Sequence, residues 1–84
     1  MIDEQSLRDR ARDAIRTGAL PERGPERTYG GPGTGVTCAV CAVRISAADI
    51  EVEVELAAED RRFFMHPRCF AAWDAECRVR AREA

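Results

Sequence analysis

Cys38-Ala39-Val40-Cys41 and His66-Pro67-Arg68-Cys69 are the two segments on which the fold turns. A C-x-x-C and an H-x-x-C, separated by a spacer of domain-building length, supply three thiolates and one imidazole. Zinc prefers that tetrahedral mixture, with bonds of roughly 2.0–2.3 Å. Two residues between ligands let a tight turn aim both side chains at one ion. The expectation is one structural Zn2+ per chain, held by Cys38, Cys41, His66 and Cys69. Two disulfides are the other use of four cysteines, but a histidine at ligand spacing favours metal.

Between the two half-sites the pattern is that of a hairpin. Val43 to Ile45 reads as a short strand. From Asp49 to Leu56 the chain alternates, with Ile50, Val52, Val54 and Leu56 on one face and Glu51, Glu53 and Glu55 on the other. That is a half-buried strand. Glu59-Asp60 supplies the turn, and Arg61 to Met65 returns. Pro67 suits the first position of a helix, where its missing N–H costs nothing. Beyond it Phe70, Trp73 and Cys77 recur at helical spacing and should pack against the hairpin.

Upstream, residues 3–17 read as an amphipathic helix. Leu7, Ala11, Ala14 and Ile15 form one apolar stripe, and Gly18 is a natural C-terminal stop. Asp9, Arg12, Asp13 and Arg16 pair along the wet side. So narrow a stripe does not hold a helix in water by itself. It must dock on the metal-binding part or on a second copy, which would make a homodimer through this helix. Residues 18–35 hold all 6 glycines and three of the 4 prolines, and read as a linker or loop with no strand interior. The expected units are 1–17 (helix), 18–35 (linker or loop) and 36–84 (zinc-binding finger).

A turn with two cysteines, a hairpin, and a helix whose first turn carries two more ligands resembles the treble-clef zinc finger, over roughly Val36 to Arg80. The resemblance implies a small α+β, zinc-stabilised domain with an added N-terminal helix. It places Cys38 and Cys41 on the knuckle, and His66 and Cys69 at the start of the last helix. Ala42 departs from it, because such knuckles often carry glycine there. The wording Cys-Ala-Val-Cys … Glu-x-Glu … His-x-x-Cys-Phe-x-x-Trp also looks like small uncharacterised bacterial zinc-binding proteins.

Cys77 is the spare thiol. Eight residues of helix place it about 12 Å from Cys69 along the axis, whereas sulfurs on one zinc lie about 4 Å apart given bonds near 2.3 Å. It reads as a small buried hydrophobe. Four protein ligands close the shell, and with 1 histidine in the chain no second imidazole is present as a base. Enzyme activity is therefore not expected.

Two surfaces invite ligands. Tyr29, Gly30, Gly31, Gly33, Thr34 and Gly35 form a glycine-rich stretch that a partner could approach closely, although it lacks the ending of a phosphate-binding loop. Glu51, Glu53 and Glu55 make an acidic stripe, either a docking face for a basic partner or the ordinary wet side of a strand.

The chain has 84 residues, 13 basic and 15 acidic, for a net charge of −2. That balance disfavours nucleic acid as the main partner. The basic residues of the N-terminal helix are interleaved with acids. The last helix mixes Arg68, Arg78, Arg80 and Arg82 with Asp74, Glu76 and Glu83. Nothing approaches the ~20 apolar residues of a membrane span, and the polar, acidic start does not read as a secretory leader. A cytoplasmic, reducing location is expected. Three functions fit: a protein-interaction or regulatory adaptor with a structural zinc, a nucleic-acid-binding finger of a transcription-related regulator, and a thiol-based redox or zinc sensor. The adaptor fits best.

Overall fold

A computed structural model describes residues 3–83. Met1, Ile2 and Ala84, which fall inside the expected units 1–17 and 36–84, lie outside the described residues. The order of elements is α1 (Glu4–Arg16), β1 (Arg27–Pro32), β2 (Ile50–Leu56), a 3-10 turn (Ala57–Glu59), β3 (Arg61–Met65) and α2 (Pro67–Glu83). The three strands form one antiparallel sheet in the order β1-β2-β3. The architecture is a small α+β domain.

Helix α1 starts where its sequence says it should. Asp3 is the N-cap, and its carboxylate accepts a 2.8 Å bond from the Ser6 N–H. That bond satisfies one of the donors a helix start leaves open and holds the Asp3 carboxyl below its usual range. Gly18, at φ +84°, takes the left-handed step after the last turn. Leu7, Ala11 and Ile15 are buried and Ala14 is half-buried. Their cover is α2 of the same chain. A homodimer through this stripe therefore loses its surface, because the apolar face is already spent within one chain.

Residues 18–35 are not a plain linker. They contain β1, paired with β2 in the register Arg27↔Glu55 to Pro32↔Ile50. The reason is the position of the strand. Beyond its end, Gly33 N–H donates to the Asp49 carbonyl at 3.0 Å, so the odd-numbered residues of β1 bond to β2 and the even-numbered ones face the free edge. The N–H that Pro32 lacks would point away from β2, so the proline costs no ladder bond, as edge strands allow.

Other boundaries also differ from expectation. Val43 to Ile45 makes a single bridge, Thr37↔Arg44, with Ile45 N–H donating to Val36 at 2.8 Å and Gly35 N–H to Ile45 at 2.9 Å. It is too short to be a strand. Ile50, expected inside, is 59% exposed, because it sits at the open end of the sheet opposite Pro32. Val54, Leu56 and Met65 are fully buried, as are Ile45 and Trp73. Helix α2 packs chiefly on α1 and to a lesser extent on β2; Trp73 and Cys77 share one core with Val54 and Met65 of the hairpin, and Phe70 packs against that core, as expected. Trp73 Nε1 donates to the Pro21 carbonyl at 3.0 Å, and the Cys77 thiol lies 3.7 Å from the same oxygen. The segment after α1 is thereby tied to α2.

Candidate metal centre

The first half-site is a turn closed on itself. Cys38 N–H donates to Val43 at 2.9 Å, Ala42 N–H donates to Cys38 at 3.1 Å, and Val40 N–H points at Cys38 Sγ at 3.4 Å. Ala42 adopts φ +64°. The departure from glycine thus leaves the left-handed turn in place, on a residue that pays for it sterically. Ala39 N–H donates to the Phe64 carbonyl at 2.9 Å, which fastens the turn to the outer edge of β3. Strand β3 ends at Met65 and His66 follows directly. The His66 carbonyl accepts the first bond of α2 from Phe70 N–H at 2.8 Å, and Cys69 lies in that first turn.

These connections bring the four expected ligands together. One ligand atom from each of Cys38, Cys41, His66 and Cys69 falls within 4.8 Å of the others. Nδ1 of His66 is the nitrogen facing the sulfurs, 3.4 Å from Cys41 Sγ and 3.9 Å from Cys69 Sγ. The three cysteines are buried and the histidine is half-buried. No cysteine is in a disulfide, and Cys77 stands outside the cluster.

The electrostatics fit a cation. A hydrogen bond shared with Cys69 lowers the Cys38 thiol to about 4; burial opposes this, and the backbone N–H groups of Cys41 and Val40 add to it. The same shared proton, burial and the neighbouring sulfurs push Cys69 well above its usual value. So crowded a set of sulfurs does not hold three thiolates unless a positive ion sits among them. Burial, followed by Asp74, pushes the Cys77 thiol up to about 11, which suits an inert core position.

Sequence reasoning missed two residues. Asp49 places Oδ2 3.9 Å from Nε2 of His66, on the ring edge away from the sulfurs; that is too long for a hydrogen bond, and the same oxygen accepts from Ser46 Oγ at 3.1 Å. Nothing in the sequence marked it. Glu76 was read only as one acid among several. It is 3% exposed and accepts from Arg8 Nε at 2.6 Å and Arg12 Nε at 3.1 Å, joining α1 to α2. Its signal was present: Glu76 is seven residues from Cys69 and three from Trp73, on the buried stripe of α2. Burial opposes its ionisation, but the bonds from Arg12 and Arg8 outweigh it and hold the carboxyl below its usual range.

The other candidate surfaces are arranged differently from one another. Tyr29, Gly30 and Gly31 belong to β1, whereas Gly33, Thr34 and Gly35 follow it. Thr34 gives both its N–H and its hydroxyl to Glu51 Oε1, at 3.1 and 2.7 Å. A carboxylate therefore occupies the donors that an anion would need. Glu53 and Glu55 face Arg62 of β3 at 3.8 and 3.7 Å, which offsets part of the acidic stripe. Val43, at 56% exposed, and Ile50 line an open groove of about 600 Å3 that runs past Cys41 and His66.

No protein-family model matches this chain, and neither curated proteins nor solved structures give a match. The residues and their geometry alone carry the functional reading. Among the described residues they form one buried cluster of four Cys and His side chains compatible with a single metal ion, and no helix is long and apolar enough to cross a membrane.

Proposed function

We propose that this chain is a zinc-stabilised, treble-clef-like protein-interaction module, acting as a small regulatory adaptor in a reducing cytoplasm and carrying no catalytic activity of its own. The observation that carries the reading is the closed cluster of Cys38, Cys41, His66 and Cys69. Three sulfurs and one nitrogen complete a tetrahedral shell for zinc and leave no position for a reacting water. The metal's work is then to hold the knuckle against the start of α2. Exposed Val43 and Ile50 beside that rigid centre supply the apolar contact an interaction surface needs.

Nucleic-acid binding is the weaker reading. Arg8 and Arg12 are committed to Glu76, and Arg78 to Asp74 at 3.0 Å, which breaks up the basic stripe that phosphate binding requires. A sensor role is weaker too, because buried thiolates around a metal resist oxidation.

The test is elemental analysis of the purified chain with unfolding followed after chelation. One zinc per chain is expected, with loss of the fold when it is removed. A folded protein holding well under one zinc per chain would refute the structural-metal reading. Affinity capture with Val43→Asp as the control then tests the adaptor: partners should be lost with the variant. Tight, sequence-selective DNA binding at physiological salt would replace the adaptor with the nucleic-acid reading.

A further inference from the structure

We propose that the free edge of β1 is a self-association site, at which two copies of this chain pair antiparallel about a two-fold axis at Tyr29 and join their sheets. The argument begins with the ladder. Strand β3 is covered in part on its outer side, where Ala39 N–H bonds to the Phe64 carbonyl. Strand β1 is not covered: among the described residues it is the end strand of the sheet, and Thr28, Gly30 and Pro32 are exposed. From the Gly33–Asp49 bond and the register, the N–H and C=O groups of Thr28 and Gly30 point to that free edge. Exposed edges of this kind are templates for another strand.

The side chains select the occupant and the register. With Tyr29 opposite its own copy, Thr28 faces Gly30 of the second copy and Gly30 faces Thr28. Two reciprocal pairs of N–H···O=C bonds then use every outward donor of β1, and Pro32, which has none to offer, falls beyond them. Tyr29, 46% exposed on the outer face, becomes a non-hydrogen-bonded cross-strand pair, the arrangement in which facing side chains lie closest, with Cα atoms about 4.5 Å apart. Arg27 comes opposite Gly31 of the second copy. That glycine has nothing within 4 Å of where a Cβ would stand, so the Arg27 guanidinium, which in one copy bonds to the Tyr29 hydroxyl and lies near Glu55, has room to pass over it. Glu51, the partner of Gly31 in the β1–β2 register, lies immediately beyond. Basic thus meets acidic across the axis, twice by symmetry. A generic extended peptide would satisfy the backbone but not this charge match. An isologous contact of this sort closes at two copies.

The full-length, zinc-loaded protein is tested by sedimentation equilibrium and cysteine cross-linking. A reversible dimer is expected. Gly30→Pro removes an edge-facing N–H and no β1–β2 bond, and should weaken the dimer about tenfold or more with zinc retained. Tyr29→Cys should cross-link to its copy under mild oxidation, because the expected Cα separation, about 4.5 Å, lies within disulfide reach. Thr28→Cys, displaced from its own copy along the strand, should not cross-link. A protein that stays monomeric to about 100 µM, a concentration at which contacts of micromolar strength are populated, overturns the proposal. So does a dimer indifferent to Gly30→Pro. Should Gly30→Pro lose its zinc, the cross-link decides: Tyr29→Cys failing to cross-link, or cross-linking no faster than Thr28→Cys, rejects the register.

Discussion

Gly33→Ala should be the most damaging single methyl group that can be added to the glycine-rich segment. An alanine Cβ at Gly33 would stand 1.9 Å from the Ser46 carbonyl oxygen and 2.6 Å from that of Ile45, where ordinary contact begins at 3.4 Å. The two backbones would have to separate by roughly 1.5 Å, the gap between 3.4 and 1.9. Both sides are held. Gly33 N–H donates to Asp49, and two bonds link Ile45 to Gly35 and Val36. Ile45 itself is fully buried. Overpacking of a well-filled site costs about 1–3 kcal/mol, and one lost backbone bond adds about 1 kcal/mol. The sum is about 3 kcal/mol for so close a backbone clash.

The assay is thermal unfolding of the zinc-loaded protein, with Gly24→Ala and Gly30→Ala as controls, since neither has an atom within 4 Å of the added carbon. For a domain of this size each kcal/mol moves Tm by about 4–8 °C, so Gly33→Ala should fall by roughly 10–25 °C while the controls hardly move. The opposite ranking, or a Gly33→Ala variant as stable as Gly24→Ala, would show that the glycines serve something other than this close approach.

Cys77→Ala should keep the metal and cost on the order of 1–2 kcal/mol, the price of a small buried side chain, whereas Cys69→Ala should lose both metal and structure; metal analysis and circular dichroism separate them. Glu76→Gln should remove an acid-sensitive part of the stability. The folded pKa of Glu76 is depressed, so its contribution is present above the unfolded value and is lost as pH falls through the lower folded value; the wild-type excess over the variant should shrink between neutral and strongly acidic pH in denaturant titrations. Ala42→Gly should be neutral or stabilising by about 0.5 kcal/mol, because relief of the left-handed backbone offsets the entropy glycine adds to the unfolded chain; a loss comparable to that from a helix-interior glycine would contradict the strained turn.

Sequence reading succeeded where period and spacing are physical constraints. The bounds of β3 and the start of α2 follow from alternation, a turn and a proline. The gathering of Cys38, Cys41, His66 and Cys69 into one cluster follows from the spacing that one ion would impose. It failed at β1 because glycine and proline were weighed as residues and not as positions: which face of the ladder Pro32 turns to the edge depends on the register with β2. It failed at Ile50 because alternation says which face a residue takes and not how far the helices extend over that face. Glu76 was legible by periodicity yet passed over by chemistry, since a carboxylate on a buried stripe is acceptable only when partners arrive from elsewhere. Arg8 and Arg12 are more than sixty residues away in the chain.

The same contacts explain how so slender a helix as α1 persists. Its stripe is narrow, and two of its three buried members, Leu7 and Ile15, flank an alanine. Arg8 and Arg12 clamp Glu76, in the middle of α2. Leu7, the residue before Arg8, borders the same groove as Cys41 and Cys69, so the first half of α1 lies between that clamp and the Cys/His cluster. In the proposed zinc-bound protein, α2 would be held at its first turn by Cys69 and about 10 Å further along, seven residues at 1.5 Å each, by the pair at Glu76. Removing a bound ion would release the first hold and leave the second. Neutralising Glu76 would do the reverse. Helix α1 needs both, because an isolated helix of 13 residues is marginal in water. Its amide protection is accordingly the observable in which metal loss and Glu76→Gln should converge.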